Sequence, residues 1–272
     1  MLPIFDLLDL QALDDRRFRL EVRTELSTPF GFLYGGSGIA ASAEAAERAT
    51  GRPLQWITTQ FLGSPEPGSV VDLVVDTPAG GRATTQSQVV ATVDGRPVFT
   101  SLCAHTVRPT GDRVQFVEMP EVAAPDDCSP MGGLFELDHS GSFFDTLERR
   151  VARGAVGPAA LGHPSSEPVS LWCRILDHEI GSPATQAYVA DIIPMGIGAA
   201  LGAPPGATSL DNTLRVIDTD PTEWVLLELI AEGYHRSIGH GSLRAWSRDG
   251  RLMATAQQTC IVRTSHHQRS GG

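Results

Sequence analysis

The chain contains no lysine; all 21 of its basic residues are arginine. This excludes lysine Schiff bases, a lysine-anchored pyridoxal phosphate and the phosphate loop whose lysine grips a nucleotide. Cysteine is scarce too. Cys103, Cys128, Cys173 and Cys260 are widely spaced with no CxxC pair, which predicts reduced, mostly buried thiols rather than a disulfide frame or zinc site. The 8 histidines show no metal-ligand spacing, and His266-His267 sit in a polar tail, so no metal is expected. No apolar run reaches the roughly 20 residues of a membrane-spanning helix. The opening MLPIFDLLDLQALDD lacks the basic stretch of a signal peptide, so a cytoplasmic protein without membrane insertion is expected. Positive charge is in deficit: 32 acidic residues leave a net charge of -11, which argues against nucleic acid as a partner.

Three catalytic signatures are missing as well. Ser37 lies in GGSGI, not in the G-x-S-x-G frame of a nucleophile elbow. Residues 36–41, GSGIAA, match a dinucleotide fingerprint only loosely, with no clean strand before them and no acid about twenty residues on. No aspartate is followed five positions later by a histidine.

One stretch is present twice. Residues 94–108 read DGRPVFTSLCAHTVR and residues 249–263 read DGRLMATAQQTCIVR, at an offset of 155. Each begins with Asp-Gly, a strong hairpin signal, and continues as a run suited to a long strand. Solenoid repeats recur every 20–50 residues or so, so this spacing indicates a duplicated domain. With 41% apolar residues, each half can bury a core. The copies differ at one telling place, since Gln258 in the second stands where the first has Cys103.

Both halves show the same order of elements. In the first, a strand over 17–22 precedes a Gly-rich turn and an Ala-rich helix over 37–50 that ends at Gly51. Strand runs occur at 54–62, 69–76, 83–91 and 96–107. Residues 109–132, rich in Pro, Asp and Gly, read as a linker. In the second half, strands at 143–150 and 169–176 lead to Ser182-Pro183, an N-cap followed by proline at the first helical position. That helix should end near Ile193, before Pro194, with strands at 207–217, 223–232, 241–247 and up to 263. Asp191 falls on a helix face shared with Ala184, Ala187 and Tyr188, where a carboxylate is costly unless paired or used. Taken singly, Asp191, Ser209 and Gln258 each have an ordinary structural reading; their joint presence in one half points to chemistry.

The strings YVADIIP, ATSLDNTLRV, EWVLLELIAEG and GHGSLRAWSRDGRLMATAQQTCIVR resemble the acyl-CoA thioesterase II family, as do FLYGG, FLGSPEPG and GRATTQSQVVATVDGRPVF in the first half. The resemblance covers about residues 20–263 and is strongest over 186–263. It implies an α+β double hotdog: two tandem domains, each with an antiparallel sheet wrapped around a central helix, their sheets joined edge to edge. The implied divisions are an N-terminal domain over 1–110 with a degenerate site, a linker over 111–132, a C-terminal domain over 133–265 carrying the catalytic residues, and a tail over 266–272.

The family hydrolyses acyl-CoA with an Asp, a Ser or Thr and a Gln that hold the attacking water. Its Asp corresponds to Asp191 and its hydroxyl residue to Ser209. Its Gln, four residues after an alanine, corresponds to Gln258 after Ala254. Asn212 departs from the usual His, and Gln257-Gln258-Thr259-Cys260 departs from Gln-Glu-Gly. By the habit of hotdog thioesterases, Gly35 and Gly36 are the candidates for binding the substrate's developing oxyanion; the competing reading is that they only allow close packing. The resemblance further implies an acyl-CoA substrate, no cofactor and a homo-oligomer. CoA phosphates would need arginines, and spacing does not choose among Arg215, Arg236 and Arg244. A hydratase on the same fold would use an Asp and a His five residues apart, which the chain lacks. The rival from another class is a non-catalytic acyl-CoA or acyl-lipid binder, since fold alone does not decide function.

Overall fold

Alternation of apolar and polar side chains turns into strands that bury one face. The clearest is β2 (Arg17–Glu21), where Phe18 and Leu20 are buried and their neighbours exposed. The structure is a computed structural model that describes residues 5–108, 111–131, 140–203 and 207–262. The tail with His266-His267, and Arg263 at the end of the repeat, lie outside the described residues. Before β2 comes the two-residue strand β1 (Gln11–Ala12). The first half then runs α1 (Gly35–Thr50), β3 (Leu54–Phe61), β4 (Val70–Gly80), β5 (Thr84–Val93) and β6 (Arg96–Thr106). The second runs β7 (Leu147–Arg153), β8 (Val169–Ile175), α2 (Pro183–Ala190), α3 (Ile193–Leu201), β9 (Ala207–Val216), β10 (Val225–His235), β11 (Ile238–Ser247) and β12 (Leu252–Val262).

All the strands form one sheet, in the order β1-β2-β4-β5-β6-β3-β9-β12-β11-β10-β8-β7. The order reads the same outward from the centre, so each strand of the first half has a counterpart in the second. The halves join where β3 pairs antiparallel with β9, which gives both edge strands a partner. Thr58 and Thr213 lie opposite each other there, their hydroxyls 2.6 Å apart. They are separated by the same 155 residues as the sequence repeat. A pseudo-twofold axis therefore passes between them.

The helices pack on the inner face of this sheet. Ala40, Ala41, Ala43, Ala45 and Ala46 of α1 are all buried, so its small side chains let sheet and neighbouring helix approach. Gly51 ends α1 in the left-handed conformation, at φ +64°, as its position suggests. Ser182 caps α2, its hydroxyl accepting a hydrogen bond from the Thr185 N–H, with Pro183 at the first position.

Two expectations for the second half need correction. α2 ends at Ala190, and a further helix, α3, begins at Ile193 and carries Pro194 in its first turn. Proline lacks an N–H, but the first turn of a helix has no use for it. The proline thus starts a helix instead of stopping one, and Asp191 is left at the break. The run at 143–150 also divides, opening with a short 3-10 turn over Phe143–Thr146 before β7.

The stretch over 111–131 lies against the outer face of the second half. Val117, Met119 and Val122 pack on a cluster of Trp172, Trp224, Leu226, Trp246 and Leu252. The Trp172 Nε1–H donates to the Ala123 carbonyl at 2.8 Å, and Arg150 reaches the Pro125 carbonyl at 2.8 Å. Among the described residues no helix is long and apolar enough to cross a membrane.

Candidate active site

The break between α2 and α3 places Asp191 where the start of α1 meets the end of α2. Tyr34, just ahead of α1, donates its hydroxyl hydrogen to the Tyr188 carbonyl at 2.9 Å and fixes this junction. The Gly36 N–H is near enough to the Asp191 carboxylate to favour its charged form. The N-terminus of α1, with its free N–H groups and positive dipole end, is therefore turned toward a negative charge.

Two further side chains converge on that carboxylate, and a third, Ser209, bonds to one of them. The Gln258 Nε2 donates to Asp191 Oδ1 at 2.7 Å and to Ser209 Oγ at 2.7 Å. The Asn212 Nδ2 donates to the same Oδ1 at 3.0 Å and lies 3.4 Å from Gln258 Oε1. Both amides thus turn N–H toward the carboxylate. Oδ1 is held by two donors, while Oδ2 lies beside Gly35, where an added methyl would overlap it.

Ser209 and Asn212 are three residues apart and would face opposite sides of a regular strand. A register shift between β12 and β9 resolves this. Thr259 pairs with Asp211 and Cys260 with Ser209, so Leu210 is passed over and turns outward, 40% exposed. The bulge changes the phase of the strand and brings Ser209 and Asn212 to the same side. In the sequence Asn212 stands out only as a departure from a family pattern; the bulge that makes it part of the site leaves no period in the sequence.

Burial pushes the Asp191 carboxyl up to about 7, against the donors Asn212, Gln258 and Gly36, which favour the charged form. A carboxylate in this range can both take and return a proton near neutral pH. It opens on a cavity of about 240 Å³ that both halves line. The first half contributes Gly35 and Phe61, the second Asp191 and Ser209. Arg215, Arg236 and Arg244 do not line it, and Arg244 pairs with Glu228 at 3.2 Å. Among the described residues no group of three or more His, Cys, Asp or Glu side chains is placed to hold a metal.

The equivalent strand positions in the first half carry no such pair of amides. Ile57 faces Cys103 across β3 and β6 just as Asn212 faces Gln258 across β9 and β12, again 155 residues apart. Both are buried, and burial pushes the Cys103 thiol up to about 12. The four cysteines are free and buried.

A two-domain fold with Asp191 and Ser209 at a cavity between its halves, backed by the amides of Asn212 and Gln258, fits a thioester hydrolase of the double-hotdog class. Comparison with known proteins agrees. Residues 125–262 match the acyl-CoA thioesterase C-terminal domain and residues 24–106 the acyl-CoA thioesterase N-terminal domain. A candidate thioesterase from Novosphingobium aromaticivorans DSM 12444 is 31% identical, with a TM-score of 0.84 over 93% of this chain and 98% of that one. A hot dog fold protein of unknown function from Alicyclobacillus acidocaldarius (20% identity, TM-score 0.82, covering 94% and 96%) shares the fold. So does an acyl-CoA thioesterase II from Mycobacterium marinum (19% identity, TM-score 0.75, covering 96% and 98%). No curated protein matches the chain. The chain belongs to the acyl-CoA thioesterase II family.

Proposed function

We propose that the chain hydrolyses acyl-CoA to a free acid and CoA, with Asp191 as general base, Ser209 orienting the water, and Gln258 holding both of them in place. What carries this reading is the asymmetry of the Asp191 carboxylate: Oδ1 is tied by Gln258 and Asn212, and Oδ2 is left beside Gly35 at the cavity. A water on Oδ2 attacks the thioester carbonyl carbon and passes its proton to Asp191. When the tetrahedral intermediate collapses, the C–S bond breaks and Asp191 returns that proton to the departing thiolate. Ser209 accepts from Gln258, so its own hydrogen remains to donate to the water.

The oxyanion needs a donor already in place. Gly35 lines the cavity as the first residue of α1, and the first N–H groups of a helix have no partner within it. We assign the oxyanion to the Gly35 N–H, while the Gly36 N–H favours the charge on Asp191. A homo-oligomer belongs to the same proposal and rests on family resemblance; the cytoplasmic location and the domain boundaries likewise stay proposals.

Release of free thiol from a series of acyl-CoA esters tests the function. Turnover is expected, with kcat/KM falling at acid pH around a midpoint near 7. Binding of the esters without thiol release would make the protein a binder. Asn212→Ala should move that midpoint to higher pH, because it removes a donor that favours the ionised carboxylate. A midpoint that stays in place or moves to lower pH would show that Asn212 does not stabilise the charge on Asp191.

A further inference from the structure

The walls of the cavity are the part of the site that the chemistry of thioester cleavage leaves unexplained. Six aromatic side chains line it: Phe30, Phe32, Tyr34, Phe61, Phe143 and Phe144. Aromatic residues are only 6% of the chain, and the four tryptophans contribute nothing here. Three of these rings, Tyr34, Phe143 and Phe144, form an ordered wall. Tyr34 stacks on Phe143 with centroids 3.8 Å apart and planes 5° apart, and Phe143 meets Phe144 at 4.2 Å. The Arg149 guanidinium sits 4.1 Å from the Phe144 centroid and backs that ring. Tyr34 is also held edge-on by Tyr188 and tied through its hydroxyl. Rings fixed in this way are in place before a ligand arrives, so binding pays little to order them.

The wall begins beside the reacting groups. Phe61 and Asp191 both approach Gly35, and the Phe61 Cζ lies 3.0 Å from where a Cβ on that glycine would stand. The acyl atoms next to the carbonyl therefore meet an aromatic surface at once. Volume limits the remainder of the acyl group. The cavity measures about 240 Å³, whereas an apolar cavity of about 150 Å³ accommodates benzene. The difference leaves room for a thioester carbonyl and a linking atom or two.

From this wall and this volume we infer that the acyl group is short and carries an aromatic ring, as in an aroyl or arylacetyl thioester. The inference rests on the thioesterase reading. Flat rings stacked or set edge-on against the wall gain more than an alkyl chain of equal area, by about two- to tenfold for each pair.

The test is kcat/KM by thiol release for benzoyl-, phenylacetyl-, hexanoyl- and palmitoyl-CoA, on the wild type, Phe61→Leu and Phe144→Leu. One of the two aryl esters should exceed hexanoyl-CoA by about tenfold or more, with palmitoyl-CoA poorer still. Each variant should lower the aryl-to-hexanoyl ratio by about fivefold. A preference for palmitoyl- or hexanoyl-CoA, or a ratio unchanged in both variants, overturns the inference and leaves the thioesterase reading intact. If no ester is hydrolysed that reading fails instead. The ranking of equilibrium affinities for the same four esters then decides, tight aryl binding supporting the inference and tighter palmitoyl binding overturning it.

Discussion

Asp191→Asn should lower kcat by about 10²–10⁴-fold, the range associated with a positioned general base, while the fold gains stability relative to the wild type as pH rises. The two effects have one cause. An amide has nearly the shape of the carboxylate but cannot accept the water's proton. The carboxylate itself is held in a site that disfavours its charge, with burial raising it from 3.8 to about 7. For a carboxyl whose folded value is raised, ionisation opposes folding. The cost is absent below the unfolded value, grows as pH rises from about 4 to about 7, and is constant above that. A shift of this size corresponds to about 4 kcal/mol at full development. Asparagine escapes it, although its N–H groups must then face the donors Gln258, Asn212 or Gly36, which offsets part of the gain at every pH. The unfolding temperature of the variant relative to the wild type should therefore be several degrees higher at pH 8 than at pH 4. A difference that is no larger at pH 8 than at pH 4 would mean that the charge on Asp191 does not oppose folding.

Gly35→Ala should cost at least about a hundredfold in kcat/KM, the scale on which small misplacements of reacting groups act. Position 35 opens α1, where alanine is otherwise a favourable helix residue. The obstacle is spatial: the new methyl would overlap Asp191 Oδ2 and come within 3.0 Å of the Phe61 ring. The carboxylate would have to move, and it is already tied to Gln258 and Asn212. Two neighbouring glycines serve as controls. Gly38→Ala meets only the Phe99 ring, at 3.2 Å, and should keep activity close to that of the wild type. Gly36→Ala would place its methyl 2.4 Å from the Tyr34 ring and 2.5 Å from the Tyr188 carbonyl and should lower stability, because a packed ring and the backbone must both give way. Equal activity in the variants at 35 and 38 would show that close approach at Gly35 is unimportant.

Much of the fold was legible in the sequence because it depends on short-range patterns. The repeated Asp-Gly turns, strand runs and the Ser182-Pro183 cap mark elements through local backbone preference alone. The pairing of Thr58 with Thr213 could be anticipated only as a joining of edges; its register depends on contacts between residues 155 apart. Pro194 misled because proline stops a helix it enters late and tolerates one it enters in the first turn, and the residues around it do not say which. In the site, Asp191, Ser209 and Gln258 could be selected by resemblance, and the structure brings them together. Asn212 could not, since its place depends on a bulge that turns Leu210 outward. The aromatic wall was hidden for a similar reason. Tyr34, Phe61 and Phe143 come from three separate stretches of chain, and no periodicity connects them.

The claim on which the mechanism depends is that water held by Asp191 attacks the thioester directly. A single turnover in water enriched in oxygen-18, with enzyme in excess over acyl-CoA, tests it. Direct attack puts one heavy oxygen into the acid released and leaves the enzyme unlabelled. Unlabelled acid in that first turnover, with the heavy oxygen found in the Asp191 carboxylate, would mean that Asp191 attacks the acyl group itself and would contradict the account.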